Sequence, residues 1–335
     1  MKSDNYSDWM QITKEVFDIY QDVIRNIHYK KCFVSECTND VIRAHSIQNS
    51  RILRPLSKNG LLIMPKPKNW NLADPITEWG RNEATIFTGF CGKHDSELFK
   101  LIDENPFDES YQQIFLYTYR CLAYEYYTKY RRYLVAKEMT IRPIEKKYKN
   151  YFRFEAKACF GASNDFIADK NRFEEALKNG NKILESVVWY FPYKINFAAC
   201  STDVLWADIS GKIHYDTNKV QQTNKKRLRH FYVTIFPEEN RSVCIISWLL
   251  RDKKMFSNFK IELESLTEEQ RKYWLNHFLP LTSDNIVFNP DSWNKMSNIE
   301  KEFYRYFQFN PEISHEYQKG NIEMLEPLPY DLFSI

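Results

Sequence analysis

Three cysteines and a histidine constrain this chain more than any other feature. Cys32 and Cys37 frame a Cys-x4-Cys knuckle, and Cys91 and His94 form a Cys-x2-His pair far downstream. Thiolate and imidazole are the ligands that Zn²⁺ takes in a closed, four-coordinate structural site. A tight knuckle turns two thiolates toward one ion, and the first turn of a helix does the same for residues three apart. Gly89 and Gly92 let the chain bend around Cys91, and Ser96-Glu97-Leu98-Phe99 continues as a helix. The chain has seven cysteines, and three of them fall in this pattern. The reading is therefore one structural zinc site with Cys32, Cys37, Cys91 and His94 as ligands. Unliganded core thiols are the alternative, since free cysteine is among the most buried residue types.

Between the two ligand pairs, Ala44-His45-Ser46-Ile47-Gln48 has the character of a strand. Cys-x4-Cys, a strand histidine, and Cys-x2-His before a short helix together resemble the zinc-supported form of the HNH (ββα-metal) nuclease family, a treble clef. The resemblance covers residues 32–95. It implies that His45 is the general base that activates water and that Cys91 and His94 are the second zinc pair. It also implies that Asp95 takes the place of the histidine that holds a catalytic divalent ion, Mg²⁺ or Mn²⁺. Two positions depart from the family's pattern. Ala44 stands where an aspartate is usual, and the middle asparagine is missing from Thr85-Ile86-Phe87-Thr88. A carboxylate such as Asp95 still offers oxygen to a hard cation.

No acidic residue occurs from Val41 to Ala73, while Arg43, Arg51, Arg54, Lys58, Lys66 and Lys68 surround His45 in sequence. Such a run attracts phosphates, because each cation that meets one releases counterions. These six residues are the expected nucleic-acid contacts. The net charge of +3 is too small to make the whole surface a nucleic-acid binder, so the basic surface has to be local. Asn59-Gly60, between Ile52-Leu53 and Leu61-Leu62-Ile63, reads as a hairpin turn. Pro65, Pro67 and Pro75 mark the following stretch as loop.

The expected fold class is α+β: an N-terminal zinc module, central long helices, and a C-terminal antiparallel sheet with helices. Three segments follow, 1–105, 106–185 and 186–335, with Asn105-Pro106 as the first boundary. Ser7 opens a helix that carries Trp9, Ile12, Val16, Ile19, Val23 and Ile27, expected to pack on the zinc module or in the core. Ser110 with Gln113 opens a long helix whose aromatic face, Phe115 to Tyr130, belongs to the core. From Lys137 to Lys157 basic and aromatic residues interleave, a pattern that either tracks a nucleic-acid backbone or packs as an amphipathic helix. The packed reading is preferred, with Phe152 and Phe154 too apolar to leave exposed. Another helix is expected over about Asp165 to Glu185.

Strand-length apolar runs follow at Val187–Phe191, Ile195–Cys200, His230–Phe236 and Val243–Trp248, the last two joined as a hairpin through Pro237-Glu-Glu-Asn240. Thr267 with Gln270 and Ser297 with Glu300 are capping-box patterns that open two more helices. Pro311 to Ile335 reads as coil. His214, His230 and His277 have no acid or thiol in an obvious partnering position, and Asp203, Asp208 and Asp216 are a weak candidate metal cluster.

Two functions follow from these residues. One is a metal-dependent nuclease acting on DNA or RNA, and the resemblance implies a setting in antiviral defence or as a toxin. The other is a non-catalytic, zinc-stabilised module that binds nucleic acid or a protein partner. The cysteine usage fits a reducing compartment, and no apolar run reaches the length of a membrane span, so a cytoplasmic protein is expected.

Overall fold

The computed structural model describes residues 13–67, 75–217 and 227–335. Ser7, Trp9, Ile12 and Lys68 lie outside the described residues. Within them the first helix, α1 (Lys14–Asn26), is capped by Thr13, whose hydroxyl accepts from Val16 N. The next elements are β1 (Ala44–His45), β2 (Leu61–Met64), β3 (Thr77–Gly80), β4 (Ile86–Phe87) and α2 (Gly92–Glu104). Two long helices follow, α3 (Tyr111–Met139) and α4 (Lys146–Asn179). The four apolar runs then appear as β5 (Leu184–Phe191), β6 (Phe197–Val204), β7 (His230–Pro237) and β8 (Ser242–Leu249). The chain closes with α5 (Lys253–Ser265), α6 (Glu268–Thr282), β9 (Ile286–Phe288), α7 (Pro290–Lys295), α8 (Asn298–Phe309) and α9 (Pro311–Gln318).

Every residue of β8 is buried, and only Thr234 of β7 is not. An antiparallel strand with one wet face alternates apolar and polar residues; these two do not, because helices cover the sheet on both sides. On one side Tyr232, Phe236, Ile245 and Leu249 share a core with Tyr119 and Leu122 of α3 and with Phe166 and Phe173 of α4. On the other, Phe231, Val233, Ile246 and Trp248 meet Phe256 and Phe259 of α5 and Trp274 and Phe278 of α6. The fold is thus α+β with an antiparallel sheet between helical layers.

The sheet has seven strands in the order β3-β2-β9-β6-β7-β8-β5. Its far end comes from the N-terminal part of the chain: β2 pairs with β3 and also, through Ile63 opposite Phe288, with β9. The boundaries expected at 105 and 185 are therefore crossed by strand pairing and by one continuous core that holds Phe90, Tyr119 and Tyr232 together. Nothing local in residues 61–64 points to a partner more than two hundred residues away, a separation read from the Ile63–Phe288 register.

Several local expectations are corrected. Ile52 and Leu53 are not a strand; they end a π-helical turn, Asn49–Leu53, that runs into the single α-turn Arg54–Leu56. Gln48 caps the π-helical turn by accepting from Arg51 N, and Pro55 sits in the first positions of the α-turn, so the segment is wound before Asn59-Gly60 is reached. Asn59 and Gly60 do form a tight left-handed turn, with φ of +51° and +76°, closed by mutual hydrogen bonds of Lys58 and Leu61. α4 is one helix from Lys146 to Asn179, not two segments, since no residue between breaks it before Gly180 takes φ +72° as the C-cap. Phe152 is buried on α4 as expected, but Phe154 is 53% exposed. α1 packs on α3 and α4 through Val16 and Val23 against Val135, Met139 and Phe152, in a cluster that includes none of Cys32, Cys37, Cys91 and His94. Pro311–Gln318 is helical, because Asn310 Oδ1 accepts from Glu312 N and Pro311 occupies the first turn. Both capping boxes, at Thr267 and Ser297, are formed.

Glu125, on the buried face of α3, carries a consequence for stability. Burial pushes its carboxyl up to about 8, with Lys129 opposing and Asp284 and Asp203 adding to the rise. An unfolded glutamate titrates at about 4.3. Between those values the folded chain keeps a proton that the unfolded chain releases, so stability falls as pH rises through that window and levels off above it. Glu125→Gln is expected to flatten the slope and to stabilise the protein at pH 8 by up to about 3 kcal/mol. Urea unfolding of both proteins at pH 5 and pH 8 checks this; an unchanged pH slope in the variant contradicts it.

Candidate functional site

The knuckle from Cys32 to Cys37 turns through Glu36, whose φ is +64°, and Cys37 N donates to Val34 O. Cys91 is the N-cap of α2, so its sulfur faces the positive end of that helix, and His94 lies one turn on. Together these put Cys32 Sγ 3.4 Å and Cys91 Sγ 3.5 Å from His94 Nδ1, and Cys37 Sγ 3.8 Å from Cys91 Sγ. A tetrahedral ion with bonds of about 2.3 Å to sulfur and about 2.0 Å to nitrogen spaces its ligands by about 3.5–3.8 Å. All four ligand atoms lie within 4.8 Å of one another, and this is the only such group found among the described residues. The cluster can therefore hold a metal ion. Cys91 N and His94 N point at Cys32 Sγ and Cys91 Sγ at 3.4 and 3.5 Å, and Asn39 Nδ2 adds a third contact to Cys91 Sγ at 3.9 Å. Each is a donor that steadies thiolate charge.

Aromatic packing locks this cluster to the rest of the chain. Phe33 lies 5.4 Å from both Tyr119 and Tyr126 of α3, and Phe90 lies 5.0 Å from Phe99 of α2. Gly89 is needed here because a Cβ at that position would collide with the Phe87 ring.

Beside the cluster, β1 pairs antiparallel with β4, His45 opposite Ile86, and α2 follows directly. His45 Nδ1 lies 3.0 Å from Ala84 O, so Nδ1 carries the proton and donates to that carbonyl. The other nitrogen, Nε2, is left as the base, and Asn49 Nδ2 approaches it at 3.2 Å. Thr85 supplies the bend that brings Ala84 O into place; it holds φ +57°, an unusual conformation for a β-branched residue. Burial lowers the pKa of His45, the Ala84 contact works against that, and Arg120, Arg81 and Arg43 lower it further. The imidazole is neutral at pH 7.

His45 and Asp95 line one cavity of about 300 Å³. Asp95 sits in the first turn of α2, next to the ligand His94, and its N–H donates to Cys91 O. Arg43, Arg54 and Arg81 also line the cavity, and none forms an ion pair among the described residues. The other carboxylate in the lining, Asp103, is gripped by Arg120 through two hydrogen bonds of 2.8 and 2.9 Å, with the Arg120 guanidinium 4.0 Å above the Phe99 ring. Asn49 Oδ1 is buried in this lining without a hydrogen-bond partner. Asp95 and Asn49 Oδ1 are thus the oxygen donors that a hard cation would find here.

Of the six basic residues singled out from the sequence, the five that are described do not gather as one surface. Arg43 and Arg54 reach the cavity. Arg51 turns toward Glu238 at 3.9 Å, Lys58 pairs with Asp291, and Lys66 lies over the Trp79 ring at 4.3 Å. Sequence reasoning missed Asn49, Arg81 and Arg120. Asn49 could have been found, since it is four residues from His45; Arg81 and Arg120 arrive from distant elements and carry no local signal. The histidines downstream also have partners that spacing hid: His214 meets Asp208 and His230 meets Asp169 at 3.2 Å, while His277 Nδ1 donates to Tyr273 O. Asp203, Asp208 and Asp216 form no metal cluster among the described residues. Compared with protein families, with curated proteins and with solved structures, the chain has no match in any of the three.

Proposed function

We propose that the chain is an HNH-like nuclease that hydrolyses phosphodiesters of DNA or RNA in the His45 cavity, and that the ion held by Cys32, Cys37, Cys91 and His94 is a structural Zn²⁺. The observation that carries this reading is His45 itself. Its proton is fixed on Nδ1 by the Ala84 carbonyl, which leaves a neutral, basic Nε2 on a cavity with Asp95 and three arginines that have no carboxylate partner among the described residues. The order β1, β4, α2, with the second ligand pair at the helix start, supports the likeness to the ββα nucleases.

In this mechanism Nε2 takes a proton from water, and the resulting hydroxide attacks phosphorus. The bond from phosphorus to the leaving oxygen breaks, and that oxygen takes a proton from solvent. Arg43, Arg54 and Arg81 neutralise the charge that builds on the non-bridging oxygens. Asp95 and Asn49 Oδ1 would hold a Mg²⁺ or Mn²⁺, which adds Lewis-acid stabilisation of the same charge when bound.

One observation favours the second reading, a non-catalytic module that binds nucleic acid or a protein. Neutral imidazole has a single acceptor lone pair, and Asn49 Nδ2 already occupies it. The test is cleavage of end-labelled single- and double-stranded DNA and RNA by the full chain with Mg²⁺ or Mn²⁺ supplied. His45→Ala is expected to slow cleavage by about 100-fold or more without changing the circular dichroism. Intact substrates with the wild type favour the binding module; equal cleavage by His45→Ala places the chemistry elsewhere.

A further inference from the structure

A second cavity, of about 360 Å³, shares no lining residue with the first. Lys212, His214, Arg229, Arg251 and Lys254 line it, against a single carboxylate in the lining, Asp252. Three separate elements deliver these side chains: the turn before His214, the entry to β7, and the start of α5. The turn is tight, with Asp208 N donating to Lys212 O and Gly211 N to Asp208 O.

Beneath the cavity the cations are fixed by buried acids. Asp169 of α4 is fully buried, and its Oδ1 accepts from Arg227 Nη2 and Nε at 2.5 and 3.2 Å and from Arg251 Nη2 at 3.1 Å. Asp252 accepts from Arg227 Nη2 at 3.0 Å and forms an ion pair with Arg229 Nε at 3.2 Å. Asp208, also buried, takes His214 Nε2 on one oxygen and Asn258 Nδ2, at 2.8 Å, on the other. Guanidinium groups held this way are oriented before any ligand arrives.

Above that layer the cavity has positive charge to spare. Lys212 and Lys254 are exposed and enter no ion pair among the described residues, and Arg229 and Arg251 keep 39% and 34% of their side chains exposed. The side chain of Asp252, the N-cap of α5, does not cap that 13-residue helix, and Lys253 N donates to Leu250 O of the preceding turn. Burial, and Arg227 behind it, lower the basicity of Arg251, the mark of like charges brought close in a partly dry place. An anion would relieve this crowding.

We propose that this cavity binds a small phosphate-bearing ligand, the chemistry shared by a nucleotide and an inorganic oligophosphate. The cations line one open hollow and do not run as a strip, which is what a nucleic-acid backbone would need. The proposal does not depend on the activity assigned to His45.

Isothermal titration of the full chain with pyrophosphate and, separately, with ATP, without divalent cations and at constant ionic strength, tests it. Saturable 1:1 binding is expected, weakened about tenfold or more in the Lys212→Gln/Lys254→Gln double variant. Both lysines are exposed, so the variant keeps its fold, checked by circular dichroism. Tighter binding of ATP than of pyrophosphate identifies a nucleotide site, and equal binding an oligophosphate site. Three results overturn the proposal: neither probe binds at millimolar concentration, the double variant binds as tightly as the wild type, or Arg43→Gln/Arg54→Gln, at the His45 cavity, abolishes binding instead. Binding of an oligonucleotide alone, with neither small probe bound, overturns it equally.

Discussion

Chelating the Zn²⁺ proposed for the Cys32, Cys37, Cys91 and His94 cluster is expected to unfold the N-terminal part of the chain. The four ligand atoms are crowded within 4.8 Å, and two of the ligands, Cys32 and Cys91, are buried. Without an ion, three sulfurs and an imidazole lose the bonds that draw them together, and the start of α2 loses its strongest tie to the knuckle. Apparent binding energies of structural zinc reach about 10–16 kcal/mol in small domains, and that energy is folding energy. Because Phe33, Phe90 and Phe99 share their core with α3, the loss should spread beyond the ligands. Cys91→Ser is expected to cost more than about 4 kcal/mol, since Cys91 is at once a ligand, the N-cap of α2 and an acceptor from Asn39. Urea unfolding with and without a strong chelator, and of Cys91→Ser, checks this. A curve unmoved by chelation contradicts it.

Asp169→Ala is expected to have the next largest effect, a loss of about 3–5 kcal/mol. One buried carboxylate serves Arg227, Arg251, His230 and Tyr232, whose hydroxyl donates to it at 2.8 Å. Its removal leaves Arg227 and Arg251 with Asp252 as their remaining carboxylate and takes the acceptor from His230 and from the Tyr232 hydroxyl. Burial alone would raise the carboxyl, but His230 and Arg227 outweigh it and hold the pKa below the ordinary aspartate range. The contribution is therefore fully present above the unfolded value of about 3.9 and is lost as pH falls through the folded value. The gap between wild type and Asp169→Ala should be present at pH 7 and close in acid. A variant as stable as the wild type at pH 7 contradicts the role.

Where the chemistry is local, the sequence was readable. Cys-x4-Cys and Cys-x2-His announce a ligand cluster because the ion dictates the spacing, and the four residues do converge. The capping boxes at Thr267 and Ser297 and the turn after Pro237 depend on neighbours three or four residues away, and all are present. The pairing of Ile63 with Phe288 was hidden because short, wholly buried strands carry no alternation that would name a partner. The same distance concealed Arg81 and Arg120 at the His45 cavity, and Asp169 facing His230, whereas Asp208 stands only six residues from His214 and was missed for want of a recognisable spacing. Charge counting along the loop misled for a related reason: Lys58 and Arg51 find carboxylates from the other end of the chain, Asp291 and Glu238, and are spent there.

The account rests on one ion joining the two ends of the N-terminal stretch, so that α2 is seated against β1 and β4 with Asp95 on the same cavity as His45. Elemental analysis of the purified, unchelated chain measures that directly. The account predicts close to one zinc per chain, lost in Cys91→Ser. A folded, zinc-free chain whose three thiols react freely would contradict it.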